Sequence, residues 1–132
     1  MEKEHLLHGE LTEQIINSFF HVYNQLGFGF LEKVYENSLV LTLRSRGFRV
    51  EQQFPIDVLF EGQLVGNYFA DLLIDNPVIV ELKANQALAA GHEAQLLNYL
   101  RATDIEVGLL LNFGTATKFR RVVMSNGRKP DR

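Results

Sequence analysis

Residues 78–84, VIVELKA, constrain the fold more tightly than any other stretch of the chain. Four of the first five residues are apolar and read as a buried β-strand. Glu81 and Lys83 nevertheless fall within it, two positions apart and so on one face. A charge in an interior strand costs several kcal/mol unless it is paired, metal-bound or open to a wet cleft. The fold must therefore bring to that face something that tolerates a carboxylate and an ammonium.

The flanking elements narrow what that can be. Thr12 caps an expected helix with apolar positions Ile15, Phe19, Val22, Tyr23 and Leu26, interrupted by Gly27-Phe28-Gly29. A second helix runs from about Leu31, through Val34, Tyr35, Leu39 and Leu43, to Gly47 as its C′ residue. Strand signals follow: FRVEQQF leads into PIDVLF, Glu61-Gly62 turns, and QLVGNYFADLLID precedes an Asn76-Pro77 break and VIVELKA. GHEAQLLNYLRAT is helical after Gly91, EVGLLLNF is a buried strand, and KFRRVVM is the last. Helix, helix, three or four meandering strands, helix, strand, strand describes an α/β fold with a mixed sheet. A crossover through the 92–102 helix adds EVGLLLNF in parallel to the meander.

The hairpin FADLLID–VIVELKA decides whether Glu81 has company. With a three-residue loop of Asp75, Asn76 and Pro77, Ile74 pairs with Val78 and Asp71 stands opposite Glu81, sharing the face of Lys83. A two-residue loop sends Asp71 to the other face, because a one-residue shift flips every side chain. Two carboxylates side by side repel, and one stays protonated unless a cation lies between them. A hard divalent ion, Mg²⁺ or Mn²⁺, suits carboxylate, carbonyl and water ligands. Alone, Glu81-x-Lys83 is also compatible with a solvated pair on an edge strand. Along GHEAQLLNYL, His92, Gln95 and Tyr99 form one polar stripe, unlike an ordinary Lys- and Glu-rich solvent face, with Leu96, Leu97 and Leu100 opposite. Glu32, Tyr35 and Glu36 cluster near the start of the second helix, where its dipole favours carboxylates in any case.

Composition sets outer bounds. The 132 residues are 46% hydrophobic and 22% charged, enough for one domain with a substantial core. The expected domain is 1–132, with an N-terminal extension over 1–10 and a basic, partly frayed tail over 126–132. There is no cysteine, which excludes disulfides and thiolate metal sites. No apolar run reaches membrane-spanning length and no signal-peptide core is visible, so a cytoplasmic location is expected. Net charge is −3, concentrated in residues 1–13, whereas the segment from Gly114 carries six Lys or Arg against Asp131 alone. Lys118, Arg120 and Arg121 in that segment are candidates for meeting nucleic-acid phosphates.

Taken together, Gly29, Glu32 and Tyr35 in GFLEKVY, Asp71 in FADLLID, Glu81 and Lys83 in VELKA, and His92, Gln95 and Tyr99-Leu100 in HEAQLLNYL resemble the GxxExxY proteins of the PD-(D/E)XK nuclease superfamily. The resemblance spans roughly Gly27 to Val123. It implies a restriction-endonuclease-like αβββαβ core and hydrolysis of phosphodiester bonds in DNA or RNA by a metal-activated water. It further implies that Asp71, Glu81 and the backbone carbonyl of Leu82 hold the metal, and that Lys83 acts on the attacking water and the transition-state charge. Glu32 matches the first-helix acid and Gln95 the helix residue that orients the lysine, nucleophile or backbone. His92, Tyr99, Tyr35 and Glu36 are supporting candidates. Ala70 replaces the proline of the superfamily name, and Phe69 stands where many relatives carry a basic residue.

Nucleic acid, DNA first, is thus the expected partner, and dimerisation would enlarge the footprint of a small acidic domain. The alternative from another class is an inactive nucleic-acid-binding or accessory module that keeps the fold. Net acidity favours that alternative, and the intact set of Asp71, Glu81, Lys83 and Gln95 favours the nuclease. A glycosidase-like use of the carboxylates fits less well, since the chain has no Trp to build a sugar platform.

Overall fold

The computed structural model of the chain describes residues 6–132. Two helices come first, α1 (Gly9–Leu26) and α2 (Glu32–Ser45). Three strands follow as an antiparallel meander, β1 (Val50–Phe60), β2 (Gln63–Ile74) and β3 (Val78–Lys83). Helix α3 (Ala90–Ala102) then crosses over so that β4 (Val107–Phe113) lies parallel to β3, and β5 (Thr117–Val123) returns antiparallel. The sheet order is β1-β2-β3-β4-β5, the mixed sheet with flanking helices that the sequence predicts.

The helices divide the sheet's two faces between them. On one, α1 and α2 pack Ile15, Phe19, Tyr35, Leu39 and Leu43 with Leu72, Val80, Leu82, Leu109 and Leu111. On the other, Leu96 and Leu100 of α3 pack with Ile56, Ile79 and Leu110. Covered from both sides, β4 is buried at all seven positions. A Cβ on Gly108 would stand 2.8 Å from Leu96 Cδ1, so this glycine sets how closely α3 approaches the sheet.

Local chemistry moves several boundaries from their expected places. Helix α1 starts at Gly9, because the Thr12 hydroxyl donates to the Gly9 carbonyl within the first turn (3.1 Å) instead of capping. The expected 1–10 extension therefore lies outside the described residues at 1–5 and loses Gly9 and Glu10 to α1. Strand β1 runs unbroken through Pro55, which an edge strand tolerates since a missing N–H there interrupts little. Helix α3 includes Gly91, and His92 Nδ1 accepts the Ala89 N–H at its start (3.2 Å). The tail expected to fray is instead tied down. Lys129 Nζ donates to the carbonyls of Thr103 (2.8 Å) and Ile105 (2.7 Å), and Arg132 pairs with Asp104.

Asn112, fully buried in β4, fixes the exit of the chain from β3. It stands beside Lys83, accepts the Asn85 N–H (3.0 Å) and donates to the Asn85 carbonyl (2.9 Å). Asn112→Ala removes both bonds and should lower stability by about 1–3 kcal/mol. Urea unfolding should show a lower midpoint at unchanged m-value.

Candidate active site

The β2–β3 loop has three residues, Asp75, Asn76 and Pro77, with Asp75 and Asn76 in the left-handed region (φ 50° and 74°). Ile74 consequently pairs with Val78, and the same register carried outward puts Asp71 opposite Glu81. The regular ladder stops at Leu72–Val80. Beyond it the carboxylates take over. The Asp71 N–H donates to Glu81 Oε2 (2.6 Å), and the Leu82 N–H donates to Asp71 Oδ2 (2.8 Å). Each acid thus binds the other's strand with one oxygen and keeps its second oxygen for another partner.

Electrostatics mark the pair as short of positive charge. Burial, then the charge of Asp71, pushes Glu81 up to about 8, against the Asp71 N–H and Lys83, which pull it down. Asp71 is also raised, by burial first and further by Glu36, with the Leu82 N–H, Lys83 and the Gln53 side chain opposing. Glu32, the first residue of α2, is raised by burial and then by Asp71. Lys83, on the strand face of Glu81, makes no ion pair within 4 Å among the described residues. Its charge is therefore available to a substrate.

The structure gathers some of the expected residues here and assigns others different work. Tyr99 of α3 is buried, and its hydroxyl is raised by burial and then by the charge of Glu81. Gln95 Nε2 donates to that hydroxyl (3.2 Å), so the two side chains are held together on α3. His92 instead caps α3 through Ala89. Tyr35, with no exposed surface, bonds the Gly27 carbonyl and the Phe30 N–H (3.2 Å) and stacks on Phe113. It pins the turn before α2, where Gly27 and Gly29 hold positive φ (71° and 116°), and so positions Glu32 indirectly. Glu36 is buried beneath bonds from Lys33 (3.0 Å), Gln52 (2.9 Å) and Gln53 (3.3 Å). The basic trio on β5 divides between faces. Lys118 and Arg120 align with Asn112 and Leu110, on the face of Glu81 and Lys83, while Arg121 aligns with Leu109 on the α1 side and donates to the Leu7 carbonyl.

Two contributors escape a reading of the sequence alone. Gln53 takes a left-handed conformation (φ 55°) in the middle of β1, directly across from Asp71, where its amide joins Glu36 and favours charged Asp71. The QQ pair in FRVEQQF is the only trace of it. Tyr68 on β2 lies 6.0 Å, ring centre to ring centre, from Tyr99, a contact made by long-range packing. A separate cavity of about 570 Å³ opens beside Arg44, Arg49 and Asp75, and none of the site residues lines it.

The pair passes a chemical test for a hard cation. Asp71 and Glu81 each offer an oxygen, and both hold protons above the usual carboxylate range because burial, and for Glu81 the neighbouring charge of Asp71, outweighs the pull of Lys83 and the backbone N–H groups. Among the described residues no three His, Asp or Glu side chains come close enough to hold an ion by themselves. Two carboxylates, a backbone carbonyl such as that of Leu82, water and substrate oxygens are the donors such an ion would use.

Comparison with known proteins bears on the family and the fold. A family model described as the PD-(D/E)XK nuclease superfamily matches residues 9–122. The crystal structure of SSO0001 is similar in fold, with a TM-score of 0.57 at 18% identity over 89% of this chain. The chain spans 60% of that protein's length. No curated protein matches.

Glu81 makes metal-free stability depend on pH in a definite direction. Its folded pKa, about 8, lies above the ordinary 4.5, so between these values the folded state keeps a proton that the unfolded state has released. Stability in EDTA should therefore be greatest at low pH in this window and fall as pH rises through it, by at most about 1.4 kcal/mol per unit. Glu81→Gln keeps an acceptor for the Asp71 N–H and should flatten the slope, a difference readable from urea midpoints at pH 5 to 8.

Proposed function

Because the chain belongs to the PD-(D/E)XK nuclease superfamily, we propose that it is a metal-dependent nuclease of the GxxExxY group, hydrolysing phosphodiester bonds in DNA. The observation that carries the reading is the cross-bonded Asp71–Glu81 pair with Lys83 beside it and unpaired. Mg²⁺ or Mn²⁺ bound by Asp71 and Glu81 would supply Lewis acidity toward water and the scissile phosphate.

The chain's own residues do the rest. Asp71 and Glu81 are presented rigidly, since each is anchored to the opposing strand's backbone. Lys83 brings an ammonium to the face where negative charge builds up on the phosphate, a preorganised charge that needs no rearrangement during reaction. Gln95 fixes the Tyr99 hydroxyl at the border of the site. Glu32 closes the α2 side, kept in place by the Tyr35 anchor of its helix. Lys118 and Arg120 lie on the same sheet face and can meet the substrate backbone, Arg120 from a loose pairing with Glu93 (3.9 Å), while Arg121 is on the opposite face.

A second reading, a module that binds without cleaving, is favoured by Phe69, which leaves an exposed apolar ring (57%) two residues from Asp71. Purified protein with Mg²⁺ or Mn²⁺ against labelled single-stranded, duplex, flapped and RNA substrates separates the two. The nuclease reading expects metal-dependent cleavage that falls on the order of 10²-fold or more in Lys83→Ala, with metal binding retained. Lysine-independent cleavage, or none with any metal, would sink it. Asp71→Asn should lose activity by orders of magnitude while melting at or above the wild-type temperature in EDTA, because it relieves like-charge repulsion. A marked loss of stability would instead identify Asp71 as half of a structural ion pair.

A further inference from the structure

Between α3 and the β1–β2 hairpin, with Tyr68 three residues from Asp71 along β2, opens a cavity of about 250 Å³ that hydrolysis alone leaves unexplained. Val58 and Tyr68 of the β1–β2 hairpin form one wall, Gln95, Asn98 and Tyr99 of α3 form a second, and the C-terminal tail over Pro130–Arg132 forms a third. Tyr99 lines the cavity against Tyr68, whose strand β2 carries Asp71. Its partner Tyr68 keeps 47% of its surface exposed, and the two rings meet at 46°. They form an angled aromatic wall, against which a flat group can lie on one ring and touch the other with its edge.

The polar groups around this wall are only half engaged. Gln95 uses its Nε2 on Tyr99 (3.2 Å), which leaves Oε1 as an acceptor. Asn98 uses its Oδ1 on Arg101 (2.7 Å), which leaves Nδ2 as a donor. A purely apolar guest would not use either group. An aromatic face with a nearby donor and acceptor matches a planar heterocycle carrying the complementary pair on its edge.

We propose that this cavity receives one unpaired nucleobase adjoining the scissile phosphodiester, so that the chain selects single-stranded or extrahelical nucleotides over continuous duplex. The proposal rests on the carboxylate pair being the hydrolytic site. A base within a duplex is stacked and paired, and must leave the stack to reach such a wall. Stacking on tyrosine is available to every base, so the selection is for strandedness more than for sequence.

The test walks a single abasic position along labelled single-stranded DNA and RNA oligonucleotides, and reads affinity by anisotropy with Ca²⁺ in place of Mg²⁺. In wild type, one abasic position should weaken binding roughly ten- to a hundredfold, while the others have little effect. Tyr68→Ala should lose a similar factor and become indifferent to that position, and Tyr68→Phe should restore both. Fully paired duplex should bind wild type and Tyr68→Ala alike. The pocket is refuted if every abasic position is equivalent in wild type, or if Tyr68→Ala binds single strands as wild type does. Lys83-dependent cleavage without any abasic effect overturns the pocket alone. An abasic effect with no cleavage in any metal overturns the hydrolytic reading and leaves the pocket standing.

Discussion

Two hydrogen bonds between β2 and β3 organise this molecule: the Asp71 N–H to Glu81 and the Leu82 N–H to Asp71. They stand where the regular ladder ends, so the strands are held together by acids in place of amide–carbonyl pairs. A buried backbone N–H must be satisfied, and a carboxylate satisfies it strongly. The same substitution brings two negative charges together out of water. Protein rigidity and chemical need are thereby coupled in one place, because the pair is fixed in position and its burial disfavours two negative charges.

Much of the surrounding structure serves to hold that arrangement. Glu36 on α2 gathers Gln52 and Gln53, and so fixes β1 across from Asp71. Asn112 clamps Asn85 and with it the end of β3 that carries Lys83. Tyr35 anchors the glycine turn from which α2, beginning with Glu32, sets out. Each is a buried polar group whose bonds are met inside the protein, the kind of supporting shell that keeps a site within a fraction of an ångström of its working geometry. Tyr35, His92 and Glu36 each make bonds that hold the surrounding structure. Tyr35 and His92 contribute by fixing helix ends, and Glu36 acts on Asp71 both through Gln53 and by its own charge.

Side-chain period and turn chemistry made the element order legible along the chain, because these are local properties. The α/β class, the mixed sheet, the crossover through α3 and the buried centre strand all follow from apolar spacing in EVGLLLNF, VIVELKA and GHEAQLLNYL. The chemical oddity of Glu81 and Lys83 in an interior strand was equally visible, since it depends only on alternation. Strand alternation also separates Arg121 from Lys118 and Arg120, a consequence available from period two alone. Tertiary structure decided what no local rule can. The parity of the Asp75–Pro77 loop chose the face of Asp71, because a hairpin can close with either of two registers and only packing of Leu72 and Ile74 into the α1–α2 core selects one. It placed Gln53 in a left-handed bend, Tyr68 beside Tyr99 and Asn112 against Asn85, contacts spanning tens of residues. It folded the basic tail back onto Thr103 and Ile105, where an isolated charged end would remain in water. The sequence by itself determined the elements and the charges that needed an explanation. The meeting of those charges at one point was settled by long-range packing, whose energy depends on where the whole sheet and its helices come to rest.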